Sequence, residues 1–279
     1  MKNKGKFQNQ VVWITGGGSG IGKAMALEFC RQGAQVVVSG RRKDKLEQVV
    51  QEIQNMGGTA LAIPCDITQE REVKETVTQI LSHFSSLHVV VANAGYAASG
   101  RFEKLSLQDW RRQLETNFFG TLNTIYYSLE EIKKNNGRIA IIGSVMGSIA
   151  FPRYGPYQAS KFALRAVSLT LSMELASTGA SCTHIQPGFV ESEIVYVDNQ
   201  GQFREDWKNR EDKRPSFLTW PASKAASVIV KAIYKRKREY VFTGHGKLAV
   251  FLANHFPRIT YFFLERIFRK KRRNPNKEH

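Results

Sequence analysis

Seven short apolar runs punctuate the chain, at residues 10–14, 34–39, 60–65, 87–92, 138–144, 181–186 and 240–243. Val36-Val37-Val38 and Ile139-Ala140-Ile141-Ile142 show no in-and-out alternation, which is how a strand buried on both faces reads. Between the runs lie stretches with helical character: 23–30, 44–56 closed by Gly57-Gly58, 70–84, 106–134, a helix from Tyr157, and one from Pro221 to about Lys235. Strand and helix in alternation predict an α/β fold, a doubly wound parallel sheet of about seven strands with helices on both faces. No linker or internal repeat interrupts this pattern, so a single domain is expected over residues 1–246. From 189 to 219 the pattern lapses, and polar and charged residues crowd around Val195, Tyr196, Phe203, Trp207 and Phe217. An excursion of ~30 residues at the C-terminal edge of a sheet predicts a substrate lid.

The remaining segment, 247–279, is both apolar and basic. Leu248-Ala249-Val250-Phe251-Leu252-Ala253 and Ile259-Thr260-Tyr261-Phe262-Phe263-Leu264 approach the ~20 residues of a membrane span, but His255, Pro257, Arg258, Glu265 and Arg266 interrupt them. Ile259, Phe262, Phe263 and Ile267 instead fall on one helical stripe, followed by Arg269-Lys270-Lys271-Arg272-Arg273. That pairing suits an amphipathic helix lying on an anionic membrane surface. The alternative is a stripe packed on the body or on a sister subunit.

Composition narrows the class. With 279 residues and 42% hydrophobic content, the chain can bury a large core. Its formal charge is +17, but from Lys231 onward 14 Lys and Arg stand against 3 Asp and Glu. The body is therefore only mildly basic, which argues against nucleic acid as a partner. Cys30, Cys65 and Cys182 are odd in number, lie in or beside apolar segments and lack metal-ligand spacing, so reduced core thiols and no metal site are expected. The N-terminus passes into a strand without the apolar region of a secretory signal. A cytoplasmic protein is predicted, peripheral on the cytoplasmic face of a membrane if the tail binds lipid.

The candidate chemistry centres on Tyr157 and Lys161, one turn apart on a helix, with Ser144 at the end of an apolar strand upstream. A phenol with an ordinary pKa near ~10 is a poor acid or base at neutral pH, and a nearby ammonium is expected to favour the phenolate. A hydroxyl at the C-terminal end of a parallel strand can hold a carbonyl oxygen beside it. After the first run comes Thr15-Gly16-Gly17-Gly18-Ser19-Gly20-Ile21-Gly22, whose spacing is T-G-x-x-x-G-x-G, and then a helix. Glycines in that position let a pyrophosphate approach the helix N-terminus. The second run ends in Gly40-Arg41-Arg42-Lys43, where a dinucleotide fold that prefers NAD carries an acid ~20 residues after its glycine motif. Arginines there predict NADP(H), with Arg41 favoured over Arg42 as the ligand of the 2′-phosphate; a solvated basic turn is the alternative. Asp66 after the third run either meets an adenine amino group or caps a turn. Asn93-Ala94-Gly95 forms a small-residue turn after the fourth, Asn117 is a core polar group or kink in a long apolar helix, and Pro187-Gly188 breaks the sixth run.

Taken together over about residues 8–245, these motifs resemble the short-chain dehydrogenase/reductases of conventional length. The resemblance implies a single Rossmann-like domain with a nicotinamide cofactor at the strand ends. It implies that Tyr157 exchanges the proton, Lys161 lowers its pKa and contacts the nicotinamide ribose, Ser144 orients the carbonyl and Asn117 positions a relay water. The cofactor wall would comprise Thr15, Gly16, Gly18, Ser19, Gly20, Ile21 and Gly22, then Arg41, Arg42, Asp66, Ile67, Asn93, Ala94 and Gly95, and finally Tyr157, Lys161, Pro187, Gly188 and Val190. Ser192 stands where the family often has Thr. Within the family, Ala98-Ser99-Gly100-Arg101-Phe102 and Ser160-Lys161-Phe162-Ala163-Leu164-Arg165 are most similar to 3-ketosphinganine reductases and other lipid-directed members.

The function expected is thus an NADPH-dependent oxidoreductase reducing a carbonyl on a hydrophobic, lipid-like substrate, or oxidising the alcohol in reverse. Expected partners are that substrate, an anionic membrane surface, and further copies of the chain in a dimer or tetramer. The competing readings are a soluble 3-oxoacyl-thioester reductase and a non-enzymatic dinucleotide-sensing or nucleic-acid-binding protein. Retention of Asn117, Ser144, Tyr157 and Lys161 together favours an enzyme.

Overall fold

The computed structural model describes residues 5–209 and 214–272. Its frame is a seven-stranded sheet of β1 (Val11–Thr15), β2 (Gln35–Gly40), β3 (Ala60–Pro64), β4 (Val89–Ala92), β5 (Arg138–Ile142), β6 (Ser181–Gln186) and β7 (Glu239–Val241). All pairings are parallel, in the order β3-β2-β1-β4-β5-β6-β7. The order reverses between β1 and β4, the crevice where open α/β sheets bind ligands.

Helices α1 (Gly20–Arg31), α2 (Lys43–Asn55) and α3 (Glu70–Phe84) follow the first three strands. Next come α4 (Leu107–Leu114), α5 (Gly120–Lys134), α6 (Gly155–Glu174) and α7 (Ala222–Tyr234). Because successive strand side chains point to opposite faces, β1 divides its apolar residues between two cores. Val12 and Ile14 pack with Met25, Phe29, Ile229 and Ile233, whereas Val11 and Trp13 pack with Val73, Ile80, Leu164 and Leu171. Trp13 is fully buried, its indole N–H donating to Ser39 Oγ at 2.9 Å. Each such large apolar side chain contributes about 1.5–3 kcal/mol by leaving water.

Three features depart from the sequence reading. The stretch 106–134 is not one regular helix: a π-helical turn at Glu115–Phe119 joins α4 to α5. β5 ends at Ile142, so Ser144 lies two residues beyond the strand. The tail forms two helices, α8 (Gly244–His255) and α9 (Pro257–Arg272), because Phe256 leaves helical geometry and Pro257, lacking an N–H, opens the second.

One core residue has a pH consequence. His184 in β6 is fully buried, and neither ring nitrogen finds a hydrogen-bond partner among the described residues. Burial pulls its pKa down to about 4, against the pull of Glu239 and with help from Lys161 and Arg165. The folded pKa lies below the unfolded value, so this contribution to stability is full above about 6.5 and is lost as pH falls towards about 4. Roughly 2 kcal/mol of it is gone by pH 5. His184→Leu should shrink the stability difference between pH 8 and pH 5, measured by urea unfolding, by that amount. An unchanged difference would show that this imidazole is not the buried neutral group described.

Candidate active site

The glycine turn after β1 is shaped by close approach. Gly16 has φ +64°, and a Cβ there would lie 2.8 Å from Ala94 Cα. At Gly22 a Cβ would collide with the Gly16 carbonyl. Ser19 makes no side-chain cap on α1 and the first turn carries no acid, so the N-terminal N–H groups and the positive end of the helix remain available to an anion. Behind the turn, Asn93 Nδ2 donates to the carbonyls of Thr15 at 2.9 Å and Gly16 at 3.2 Å. Thr15 Oγ1 in turn accepts the N–H groups of Asn93 at 3.0 Å and Ala94 at 3.1 Å. These bonds fix the ends of β1 and β4 to each other.

The catalytic candidates meet on the other side of the crevice. Ser144 Oγ accepts the Met146 N–H at 3.1 Å, and its hydroxyl lies near enough to the Tyr157 phenol to draw that group's pKa down. Lys161, buried one turn along α6, donates from Nζ to the Ile142 carbonyl at 2.8 Å and lies 5.6 Å from the Tyr157 ring centroid. Gly147 allows α6 this close, since a Cβ there would stand 2.8 Å from the Lys161 carbonyl oxygen.

The electrostatics correct one expectation. Burial raises the Tyr157 pKa, and the group that lowers it is the Ser144 hydroxyl. Lys161, expected to depress the phenol, is itself pulled down to about 8 by burial. At neutral pH it is still mainly an ammonium. The pair is thus a protonated phenol beside a cation, held by a hydroxyl: an acid able to release its proton to an oxygen placed between Ser144 and Tyr157. Tyr96, a second phenol of the cavity, is pushed up to about 12 by burial.

Asn117 sits in the π turn, fully buried. Its Oδ1 accepts the Tyr96 N–H at 3.0 Å, and its Nδ2 donates to the Tyr96 carbonyl at 3.0 Å and to Ser160 Oγ at 3.1 Å. Gln113 supplements it, donating to the Tyr96 carbonyl at 2.9 Å and accepting the Ala98 N–H at 2.6 Å. The Asn117 side chain thus ties the loop after β4 to α6. Asp66 Oδ1 caps its own turn, accepting from Thr68 N at 3.0 Å and Thr68 Oγ1 at 2.9 Å.

A cavity of about 1640 Å³ runs along the strand ends. Gly16, Gly18, Ser19, Gly20, Ile21, Gly22, Arg41, Arg42, Asp66, Ile67, Asn93, Ala94 and Gly95 line one part, and Ser144, Tyr157, Lys161, Pro187, Gly188 and Val190 another. Thr15 and Asn117 stand behind its wall. The segment after Pro187-Gly188 covers it and is clasped to the basic turn: Arg42 Nη2 bonds Glu193 Oε2 at 2.8 Å and Ser19 Oγ at 3.0 Å, and Arg41 Nη2 donates to the Gly201 carbonyl. Sequence reasoning missed Phe151, Tyr154, His245 and Phe268 on the wall. Tyr154 could have been found by its nearness to Tyr157, but no local signal marks His245 or Phe268.

The architecture and these motifs agree with a short chain dehydrogenase family model that matches residues 10–202. The chain belongs to the short-chain dehydrogenase/reductase family. As a short-chain dehydrogenase/reductase it is an oxidoreductase of hydroxyl and carbonyl groups that uses a nicotinamide dinucleotide, NAD(H) or NADP(H), for which the open α1 N-terminus and glycine turn provide a fitting cradle. It is similar to 11-beta-hydroxysteroid dehydrogenase A of Arachis hypogaea, with 31% identity over 234 residues, covering 82% of this chain and 67% of that protein. Among solved structures, a short chain dehydrogenase/reductase from Burkholderia phymatum in complex with NAD superposes with TM-score 0.80 at 24% identity, over 91% of this chain and 96% of that one. An alcohol dehydrogenase from the archaeon Thermococcus sibiricus, complexed with 5-hydroxy-NADP, gives 0.72 at 24% identity, over 85% and 97%. These two likenesses speak for the fold alone.

Proposed function

We propose that this short-chain dehydrogenase/reductase uses NADPH to reduce a ketone on a hydrophobic, lipid-like molecule, with the reverse alcohol oxidation open to it. The observation that carries the reading is the meeting of the Ser144 hydroxyl, the Tyr157 phenol and buried Lys161 on one wall of a large cavity whose cover is rich in Val195, Tyr196, Phe203 and Trp207. NADPH, when bound, would supply the hydride for the carbonyl carbon. Ser144 holds the carbonyl oxygen, Tyr157 gives that oxygen its proton, and the Lys161 ammonium stabilises the phenolate left behind. The relative named for a hydroxysteroid is in keeping with an apolar substrate.

NADPH is favoured because β2 ends in Gly40 and two arginines, with no carboxylate at the ribose position. Both guanidiniums already hold cavity-side acceptors, Glu193 and the Gly201 carbonyl, so they are positioned to take a phosphate in charge-assisted hydrogen bonds. The test measures oxidation of NADPH and NADH against ketones of increasing chain length and a 3-oxoacyl thioester. NADPH should be preferred and rates should rise with chain length, and Arg41→Ala should raise the NADPH KM about tenfold with NADH nearly unchanged. Equal use of both cofactors, or a preference for the thioester over every long-chain ketone, would overturn the respective part.

A further inference from the structure

We propose that α8 and α9 form a docking surface for an anionic bilayer and bring the cavity mouth to the lipid. The substrate half of this proposal rests on the function proposed above; the docking half does not.

Leu248 and Phe251 on α8, and Ile259, Phe262, Phe263 and Ile267 on α9, are each more than half exposed. Scattered surface apolar residues are ordinary, but six large ones on two consecutive helices are not. The α9 four recur at i, i+3, i+4 and i+8, and the side chains that turn inward are Thr260, Leu264 and Phe268. The exposed stripe is therefore not the face by which α9 meets the body. Among the described residues no helix is long and apolar enough to cross a membrane. A surface association is the geometry left for such a helix pair.

Charge selects the occupant. Between residues 247 and 273 the sequence has eight Lys or Arg and one Glu. Lys247, Arg258, Arg266 and Arg269 are exposed on the same two helices, and Glu265 is already paired with Arg269 at 3.7 Å. A second copy meeting this face would bring like charges together, and the centres of protein interfaces are depleted in charge. An anionic headgroup layer instead complements the cations while its acyl region takes the aromatic and aliphatic side chains.

The same helices also build the cavity. His245, Gly246 and Ala249 of α8 and Phe268 of α9 lie on its wall, and Tyr261 of α9 accepts the Ala150 N–H at 3.3 Å, tying α9 to the loop that follows Ser144. A substrate dissolved in the bilayer would thus reach the cavity past α8 and α9 without crossing bulk water.

The experiment compares sedimentation of the full chain and of the Phe262→Ser, Phe263→Ser double variant. The vesicles are phosphatidylcholine alone or with about one third phosphatidylserine. The full chain should bind the anionic vesicles at least about tenfold better than the neutral ones and lose most of that binding in high salt. The double variant should lose most of it while keeping the NADPH-dependent turnover of a short, water-soluble ketone. For a long-chain ketone placed in the vesicles, only the full chain should gain rate from anionic lipid. Absence of pelleting at low salt overturns the docking surface, as does undiminished pelleting of the double variant. A dimer abolished by the two substitutions, with no lipid effect, identifies a second copy as the occupant and likewise overturns it. If no ketone is turned over at all, the functional reading fails while the vesicle result still decides the surface.

Discussion

Tyr157→Phe is expected to lower kcat with the best ketone substrate by about 10³-fold while leaving NADPH affinity within about twofold. The change deletes one hydroxyl that lies beside Ser144 on the cavity wall, and leaves α6 and the Lys161–Ile142 hydrogen bond as they are. A phenol whose pKa burial has raised is hard to ionise without help, so the proton it donates must leave under the influence of the Lys161 ammonium. Removing it leaves water as the only donor, which lacks that placement. Steady-state turnover together with NADPH titration by fluorescence reads both quantities, and a kcat within tenfold of the parent would end the assignment of Tyr157 as the acid.

Lys161→Met should abolish turnover and yet stabilise the fold. Burial pulls this ammonium from its ordinary 10.5 to about 8, which corresponds to a cost of about 3 kcal/mol at pH 7. Loss of the hydrogen bond to the Ile142 carbonyl offsets about 1 kcal/mol of the relief, so a net gain of about 2 kcal/mol, or roughly 5 °C in Tm, is expected. The sign has a pH signature. The cost is fully present below about 8 and disappears towards 10.5, so the gap between variant and parent should close over that window. A methionine variant less stable than the parent at pH 7 would mean that Lys161 is held by more than it loses on burial. Such exchange of stability for activity is common where a charge is kept in a dry site.

The sheet was legible because buried parallel strands read as unbroken apolar runs, and Val36-Val37-Val38 lies within one. The residues lining the cavity were legible because sheet topology brings every strand's C-terminal end to one edge, wherever Ser144, Asn93 and Arg41 lie in sequence. What stayed hidden depends on tertiary context. The π turn adds a residue to a helix without changing its composition, so nothing around Asn117 announces it. The direction of the Tyr157 shift follows from burial and not from the neighbour at i+4. His245 and Phe268 reach the cavity only because α8 and α9 fold back beside it, which no local pattern encodes.

The strand order also sets a sequence of assembly. Once β1, β2 and β3 have paired, β4 joins the free edge of β1 and each strand from β5 to β7 then joins the edge left by the one before it, so this side of the sheet grows in the direction of synthesis. On that side each uncovered edge awaits the next strand to emerge from the ribosome, while the outer edge of β3 takes no later strand, and no early strand waits for a late one to be inserted between earlier neighbours. The apolar helices α8 and α9 follow β7 and appear after all seven strands have been made. Their exposed phenylalanines are thereby kept out of the stage at which unpaired edges are most prone to wrong pairing, and the lipid-seeking part of the chain meets its surroundings only when the sheet has its full complement of strands.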